Sequence, residues 1–379
     1  MKIAIATGTR ADWGLLSPLA KELSKYNNTE ISVLATNMHY LPEYGYTLKE
    51  IIADGLEISA NIPTSGSPSE ITAQTIIGFN NVFKSNKFDC CIILGDRFEM
   101  LGVATAAILN KLHIVHIAGG EISEGAFDDS MRHAITKLST LHLTETEEYR
   151  QRVIQMGEEP NRVINTGAIG VHNAINVEIM PLNELEQSIN FTFSDKCLLV
   201  TLHPATLERL SPAEQMQNLL TALDSIPEYK ILFTLPNNDE DSAPMINLIN
   251  RYRDYNPQRV CVVPSLGRIR YLSALRYVTA VVGNSSSGLI EVPSAGIPTL
   301  NIGIRQQGRT AGKSVIHCGT SIEDIIVGLK NVTSEDTRNM ARMAPNPYAQ
   351  PDTLKQMCDA ILSFPFEEYQ YKRFHNIKQ

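Results

Sequence analysis

One short stretch of the chain has a composition that suits an anionic ligand. Residues 283–288 read Gly-Asn-Ser-Ser-Ser-Gly and open a predicted helix. Free backbone N–H groups and hydroxyls at such a position bind phosphate or diphosphate. Helix capping is the alternative, but a cap uses one serine rather than three flanked by glycines. The pattern therefore predicts that Ser285 and Ser286 bind an anion. Glu291, one turn later, is either simply solvated or placed to accept hydrogen bonds from ribose hydroxyls of the same ligand.

Three carboxylates stand where predicted strands end or the next helix begins. Asp96 follows Gly95, Glu121 follows a Gly-Gly pair, and Asp128 opens a predicted helix. A structural alternative is that such acids cap the next helix or interact favourably with its dipole. Several carboxylates near one sugar would also suit removal and return of a proton, provided that their pKa values differ.

Cationic and imidazole side chains occupy similar positions. Arg10 follows a strand and Gly8-Thr9, while Arg305 and Arg309 lie in a glycine-rich loop beside the serine stretch. A guanidinium there suits a phosphate, although a surface ion pair is as good an interpretation. His203, followed by Pro204, ends a predicted strand and is either structural or ligand-binding.

Metal and common cofactor chemistry are not favoured by the motifs. His113 and His116 lie on opposite faces of a predicted strand, which is poor geometry for a metal, and there is no CxxC pair. The chain has neither a GxGxxG nor a GxxxxGK[ST] motif, so nicotinamide cofactors and ATP hydrolysis rank low. We expect no metal and no cofactor.

Short apolar runs alternate with amphipathic stretches along most of the chain, which predicts parallel βαβ units. In the first half the predicted strands are Lys2–Thr7, Glu30–Ala35, Cys90–Leu94, His113–Ile117 and Leu141–Thr144. In the second half they are Cys197–Leu202, Lys230–Leu235, Arg259–Val263, Ala280–Gly283, Thr299–Ile302 and Ser314–His317. Because ligands bind at the carboxyl ends of parallel strands, the reactive residues above should line two such edges.

Two domains follow from this alternation, with a polar and irregular stretch at Val171–Ser194 between them. We expect a Rossmann-like domain over residues 1–174 that carries the acids and is joined by the tail 364–379. A second doubly wound domain, which contains the predicted anion-binding serine stretch, is expected over residues 175–363. Facing edges would form a cleft between the domains.

Composition limits the possible partners. The 379 residues include 33 Lys and Arg against 41 Asp and Glu, a net charge of −8, which argues against nucleic-acid binding. A local arginine site for a small anion remains compatible with that charge. No run is long enough for a signal-peptide core or a membrane span, so we expect a cytoplasmic protein without a membrane partner.

Taken together, the motifs resemble the UDP-N-acetylglucosamine 2-epimerase family, specifically its hydrolysing branch. The resemblance covers nearly the whole chain. It is carried by TGTRADWG (7–14), LGDRFEM (94–100), HIAGGEISEGAFDDSMRHAITKLSTLHL (116–143), HPATL (203–207) and GNSSSGLIEVPSAGIPTLNIGIRQQGR (283–309). The resemblance implies a GT-B fold, which is α/β with two Rossmann-like doubly wound domains and the active site in the cleft between them. It also implies a homodimer or higher homo-oligomer.

The implied reaction converts UDP-N-acetylglucosamine and water to N-acetylmannosamine and UDP. Removal of the C2 proton with elimination of UDP gives a glycal, and water then adds at C1 while a proton returns to the opposite face of C2. Residue by residue, the resemblance assigns catalysis to Asp96, Glu121, Asp128 and His203. It assigns UDP binding to Arg10, Arg97, Asn237, Ser285, Ser286, Glu291 and Arg305, with Asn237 the weaker match.

Alternatives stay open at this point. Ala118 stands where other family members can carry Glu or His. This departure leaves room for the same chemistry on UDP-2,4-diacetamido-2,4,6-trideoxyglucose, of the legionaminic acid pathway. A GT-B glycosyltransferase would need an acceptor and would leave the C2 hydrogen in place, whereas a nucleotide-sugar sensor would bind without forming product.

Overall fold

The structure is a computed structural model that describes residues 1–41, 46–123, 128–205, 208–236, 242–369 and 372–377. The chain divides into two compact units. The first consists of Met1–Glu121, Phe127–His172 and Gln350–Gln379, and the second of Ile122–Ala126 and Asn173–Ala349.

The first unit is built on a parallel sheet with the strand order β3-β2-β1-β4-β5-β6-β7. The strands are β1 (Lys2–Thr7), β2 (Glu30–Thr36), β3 (Ile58–Ile62), β4 (Cys90–Leu94), β5 (His113–Ile117), β6 (Leu141–Thr144) and β7 (Val163–Asn165). All five residues of β4 are buried, as expected for a parallel strand covered by helices on both faces.

Helices connect these strands and cover the sheet. They are α1 (Arg10–Leu23), α2 (Leu48–Ala53), α3 (Pro68–Ser85), α4 (Phe98–Leu109), α5 (Asp128–Leu138), α6 (Glu147–Gln155) and α7 (Ile169–Asn176). The amphipathic pattern predicts this first helix over Leu15–Ser24, whereas α1 begins at Arg10 because the side chain of Thr9 caps it by accepting from the Asp12 N–H at 3.1 Å.

The second unit repeats the architecture, with the strand order β10-β9-β8-β11-β12-β13. Its strands are β8 (Cys197–Thr201), β9 (Lys230–Thr234), β10 (Val260–Val263), β11 (Ala280–Gly283), β12 (Thr299–Ile302) and β13 (Val315–Cys318). Its helices are α8 (Leu182–Ile189), α9 (Pro212–Leu223), α10 (Ser242–Tyr255), α11 (Gly267–Ala274), α12 (Ser287–Ile290), α13 (Ile322–Val332) and α14 (Glu335–Met343). These two parallel sheets confirm the predicted doubly wound α/β class.

The last helix, α15 (Thr353–Ser363), corrects the predicted domain boundary. The prediction assigned residues up to 363 to the second domain, whereas the structure places the chain from Gln350 onward in the first unit. The apolar side chains of Leu354, Met357 and Ile361 are buried in the same core as Leu16 of α1. The periodicity of α15 shows that one face must be covered, but it does not show which core covers it.

Other differences concern short elements. The stretch 171–194, predicted to be irregular, contains the end of α7 and all of α8. The edge strands β3 and β7 and the helix α14 were not predicted. Strand β7 has only three residues and β3 alternates partly buried with exposed residues, so neither has the continuous apolar run of a central strand.

Each sheet reverses its order at one point, between β1 and β4 in the first unit and between β8 and β11 in the second. Ligands bind at the carboxyl ends of strands around such a switch point. The loops after these four strands carry most of the residues singled out by sequence. Among the described helices, none is long and apolar enough to cross a membrane.

Candidate active site

The acids of the first unit lie after β4 and β5. Gly95 directly follows β4 in a left-handed conformation with φ 73°, which turns the chain so that Asp96 leaves the sheet edge. Two residues of β5 hold the backbone of Gly95. The Gly95 N–H donates to the Ile117 carbonyl at 3.0 Å, and the Gly95 carbonyl contacts His116 Nε2 at 2.8 Å. The loop before Asp96 is thus fixed by the next strand.

Arg132 of α5 brings two of the predicted acids together. This side chain is only 2% exposed. Its Nη2 bonds to Asp96 Oδ2 and lies 3.8 Å from Glu121 Oε2, while its Nη1 donates to the Glu121 backbone carbonyl at 3.1 Å. Asp129 adds a third carboxylate at 3.6 Å. Sequence reasoning did not select Arg132 as a site residue, although its position one turn after Asp128 on an amphipathic helix was a usable signal.

Asp128 is the first residue of α5 and has a different environment from Asp96. Burial, with the charge of Asp96 adding to it, raises the pKa of Asp128 above its usual value, while Arg97 and Arg132 act in the opposite direction. A carboxyl group with a raised pKa retains its proton to higher pH, so it is suited to proton transfer.

Arg97 is held by an acid that the sequence did not single out. Its Nε donates to Glu99 Oε1 at 2.5 Å, and the Glu99 side chain is completely buried. Burial works against the charge on Arg97, but Glu99 and Asp12 outweigh it and raise the pKa of the guanidinium. A permanently charged group therefore lies at the end of β4.

Asp12, in the first turn of α1, is a second acid that was missed. Its Oδ2 accepts from the Gly8 N–H at 3.3 Å. Burial, reinforced by the charge of Glu99, raises its pKa to about 6 despite the opposing charge of Arg97. The pattern Gly-Thr-Arg-x-Asp placed it at a strand end, and this was the signal available to find it.

Arg10 is exposed and forms an ion pair with a neighbouring helix. Its Nε pairs with Glu50 of α2 at 3.0 Å and 3.2 Å from the two carboxylate oxygens. The structure thus shows Arg10 in a surface ion pair, which was one of the two interpretations of this residue from sequence. Its predicted role in UDP binding stays a prediction.

In the second unit, Asn284 organises the ends of β8 and β11. Its side chain accepts from the His203 N–H at 2.7 Å and donates to the His203 carbonyl at 2.9 Å. Its own carbonyl accepts from Arg305 Nη1 at 3.0 Å and from Gln306 Nε2 at 2.8 Å. Asn284 thus brings together His203 and Arg305, which lie about 100 residues apart in sequence. It belongs to the serine stretch but was not selected, because no local pattern shows its partners.

His203 is buried beside a cation. Burial, with the charge of Arg305 adding to it, lowers the pKa of its imidazole to about 3. At neutral pH the ring is therefore uncharged, with one N–H to donate and one nitrogen to accept. It can orient a diphosphate or relay a proton, but it does not supply a fixed positive charge there.

The serine stretch begins with a glycine that the fold requires. Gly283 has φ 138°, and a β-carbon built on it would lie 1.8 Å from the Thr201 carbonyl oxygen. The helix expected after it, α12, has only four residues, and the Ser286 side chain makes no capping hydrogen bond. The structure therefore corrects the expectation of a longer helix here. The partly buried Ser285 and Ser286 hydroxyls do not serve as caps, which leaves them suited to a ligand.

Glu291 follows α12 directly. Its pKa is raised by burial, against the influence of Ser287 and Arg309. Its Oε2 is buried and has no hydrogen-bond partner among the described residues. A buried carboxylate oxygen of this kind is costly unless a donor arrives, and a ligand hydroxyl is one such donor.

Arg309 lies in the loop after β12 of the second unit. Arg309 Nη2 donates to Ser123 Oγ at 3.3 Å, both within the second unit. Asn237, the weakest of the predicted UDP-binding residues, lies outside the described residues. In the part of the chain that the structure describes, no group of three or more His, Cys, Asp or Glu side chains is arranged to hold a metal ion.

The sequence of this chain is similar to those of known proteins of one family. The family model of UDP-N-acetylglucosamine 2-epimerase matches residues 21–362. A GDP/UDP-N,N'-diacetylbacillosamine 2-epimerase (hydrolyzing) of Campylobacter jejuni is 33% identical over 341 residues, covering 88% of this chain and 88% of that protein. The polysialic acid biosynthesis protein P7 of Escherichia coli is 32% identical over 387 residues, covering 100% of this chain and 98% of that protein.

Solved structures share the fold. The UDP-GlcNAc 2-epimerase of Neisseria meningitidis, in a crystal structure bound to UDP-GlcNAc, matches with a TM-score of 0.82 at 19% sequence identity. The match covers 96% of this chain and 100% of that protein. At this identity the likeness establishes the GT-B fold expected from sequence.

Proposed function

Because this chain belongs to the UDP-N-acetylglucosamine 2-epimerase family, we propose that it is a hydrolysing 2-epimerase that converts UDP-N-acetylglucosamine and water to N-acetylmannosamine and UDP. The observation that carries the proposal is the pair of acids, Asp96 and Glu121, held by the buried Arg132. Epimerisation through a glycal needs groups that remove and return a proton, and a sensor or a simple transferase has no need of several such acids.

The reaction divides into two steps. First, a base takes the proton from C2 while the C1–O bond breaks and its electron pair leaves with UDP, which gives the glycal. Water then adds as a hydroxyl group to C1 and gives its other proton to a carboxylate of the site, while an acid delivers a proton to the opposite face of C2. We assign removal of the proton to the pair Asp96 and Glu121, which share Arg132, and its delivery to Asp128, whose raised pKa helps it hold a proton.

The second unit is assigned the nucleotide. Ser285, Ser286 and Arg305 bind the diphosphate, and Glu291 accepts from the ribose through its buried Oε2. His203, kept neutral by its low pKa of about 3, donates a hydrogen bond to the leaving diphosphate without holding it as a cation. Arg10 and Arg97 keep the role that the family resemblance implies, which is to bind UDP through their guanidinium groups.

A second substrate is favoured by a specific observation. The Campylobacter jejuni relative, at 33% identity, is named for a diacetylbacillosamine nucleotide, whereas the Escherichia coli relative is named for polysialic acid biosynthesis. The same chemistry on UDP-2,4-diacetamido-2,4,6-trideoxyglucose is therefore the alternative. The expected homodimer or higher homo-oligomer stays a prediction, to be checked by sedimentation of the purified chain.

The test is NMR of the purified protein in D2O with each nucleotide sugar in turn. We expect release of UDP and of a free sugar with inverted configuration and deuterium at C2. The substrate with the higher kcat/KM is the assigned one. Turnover of neither substrate, or a product that keeps its C2 hydrogen, would contradict the proposal.

The acids are tested in the same assay. Asp96→Asn and Glu121→Gln should each lose about 100-fold or more of kcat, the usual contribution of general acid–base groups. Calorimetric UDP affinity should stay within a few-fold of wild type. Asp254→Asn is a matched control, because Asp254 is exposed and its ion pair among the described residues is with the neighbouring Arg253 at 2.8 Å. Wild-type rates in either acid variant would remove that residue from the mechanism.

A further inference from the structure

The side chain of Glu99 lies completely buried in the first turn of α4, between the ends of β1 and β4. Its Oε1 accepts from Arg97 Nε at 2.5 Å. Its Oε2 is buried and has no hydrogen-bond partner among the described residues. A carboxylate is costly to bury in this way, so the fold retains Glu99 for its effect on its one bonded neighbour.

The end of β1 is shaped to leave room for this carboxylate. A β-carbon built on Gly8 would lie 2.7 Å from Glu99 Oε1, closer than side chains tolerate. The Gly8 N–H is used separately, since it donates to Asp12 Oδ2 at 3.3 Å. Gly8 therefore accommodates two acids of different elements, Glu99 of α4 and Asp12 of α1, on the two sides of one backbone position.

Arg97 makes one side-chain hydrogen bond among the described residues, and its guanidinium carbon lies 5.6 Å from the centre of the Phe98 ring. The bond to Glu99 uses Nε, and no described residue accepts from either Nη group. About a third of the Arg97 side chain is exposed. The Glu99 carboxylate thus fixes the plane of the guanidinium. The two terminal amino groups of Arg97 remain available, and together they form the fork that suits phosphate.

We propose that Glu99 is a positioning residue that orients Arg97 for the diphosphate of the nucleotide sugar. Glu99 touches no substrate in this assignment and acts only through Arg97. The inference rests on the proposed function, since it takes the diphosphate of a UDP-sugar as the anion. The charged groups around Arg97 are Glu99, Asp12 and Asp128, so the guanidinium is surrounded by acids that anchor it without taking up its Nη donors.

A double-mutant cycle on UDP affinity, measured by calorimetry, tests the inference. Arg97→Ala should weaken UDP binding by about tenfold or more, as expected for loss of a charge-assisted bidentate contact. Glu99→Gln should weaken it several-fold in the wild-type background and leave it unchanged in the Arg97→Ala background, because Glu99 acts only through Arg97. Equal effects of Glu99→Gln in both backgrounds, or no effect in either, would overturn the inference.

Arg97→Ala leaves the buried Glu99 without its cation and could fail to fold. A second measurement therefore uses Glu99→Gln alone and compares UDP with uridine, whose binding is followed by saturation-transfer NMR. Glu99→Gln should weaken UDP and leave uridine unchanged. An equal loss for both ligands would indicate general damage and contradict a role through the diphosphate. Glu147→Gln, an exposed glutamate that pairs with Arg150 at 3.0 Å, is the matched control and should alter neither affinity.

The calorimetric test of Glu99 and the turnover test of the proposed function can fail independently of each other. A protein that binds UDP with the expected coupling between Glu99 and Arg97, but turns over neither nucleotide sugar, would contradict the epimerase assignment and support the positioning role. Normal turnover with additive effects of the two substitutions would do the reverse.

Discussion

Asp12 lies in α1, and Asp54 is hydrogen-bonded to side chains of the same helix. The fold nevertheless shifts the pKa values of these two aspartates in opposite directions. Burial raises the pKa of Asp12 to about 6. Burial also works to raise the pKa of Asp54, but hydrogen bonds from Lys21, Ser17 and Trp13 outweigh it and lower the pKa. The residue type is the same, so the difference comes from the deeper burial of Asp12 and from the three side-chain donors that the fold directs at Asp54.

Substitution of Asp12 by Asn should make stability less dependent on pH. The pKa of Asp12 is about 6 in the folded chain, above its usual 3.8, so the folded state loses stability as pH rises from about 4 through 6. The cost at pH 8 is at most about 3 kcal/mol, from 1.36 kcal/mol per pKa unit. Asp12→Asn should match wild type near pH 4 and be more stable at pH 8 in urea unfolding. An equal difference between the two proteins at both pH values would contradict this.

At the scale of elements, the end of α5 is tied to the C-terminal segment. Lys372 Nζ donates to the carbonyls of Thr136 and Lys137, at 3.2 Å and 2.8 Å, in the last turn of this helix. It also pairs with the buried Glu158 at 2.7 Å. A cation at a helix C-terminus satisfies carbonyls that lack partners within the helix. Because α5 carries Arg132, this contact helps to fix the helix on which the acid cluster depends.

Three side chains of this region contact the carboxylate of Glu158. It accepts from Lys137 at 2.5 Å and from His142 Nε2 at 3.0 Å, in addition to Lys372. Burial alone would raise its pKa, but His142 and the two lysines lower it to about 2. Its contribution to stability is therefore present above about pH 4.5 and is lost as pH falls toward 2.

Glu158→Gln should lower the free energy of unfolding by roughly 3 kcal/mol at pH 7, as for other broken buried ion pairs. The difference from wild type should shrink as pH falls from 4.5 toward 2, where the wild-type carboxylate becomes protonated. Urea unfolding followed by circular dichroism over this pH range measures both. Glu147→Gln, which removes a more exposed carboxylate, serves as the control, and a loss that stays constant over the range would contradict the assignment.

At the scale of the whole molecule, the chain returns to the first unit after completing the second. Helix α15 adds Met357, Cys358 and Ile361, all fully buried, to the core around α1. Residues 1–172 alone would therefore leave part of that core exposed to water. The two units are thus not independent segments of sequence, since the first is closed only by the last helix.

Ile361→Ala should destabilise the first unit by about 2–5 kcal/mol, the usual cost of truncating a fully buried isoleucine. Amide hydrogen exchange should show reduced protection in β1, β4 and β5, with β8 and β11 less affected. Ile325→Ala in α13 is the matched control, because Ile325 is equally buried in the second unit and should show the opposite pattern. Equal loss of protection in both units for either variant would show that they unfold together.

Much of the architecture could be predicted because it is encoded locally. The strands β4, β5, β6, β11 and β12 begin and end where the apolar runs do. Asp96 and Glu121 could be placed at strand ends by the glycines before them. The edge strand β7, with three residues, could not be predicted, since its pairing depends on β6 and its own sequence has too few residues to show a period.

Local sequence patterns were enough to predict the alternation of strands and helices, the family, and which polar residues stand at strand ends, because each depends on neighbours within a few positions. Which of these residues share a partner became visible with the folded chain. Arg132 meets Asp96 across 36 positions, and Asn284 meets His203 across 81. The burial of Glu99 beside Gly8 likewise depends on the pairing of β1 with β4. Such contacts arise from the packing of elements that are distant in sequence, and no local pattern records them.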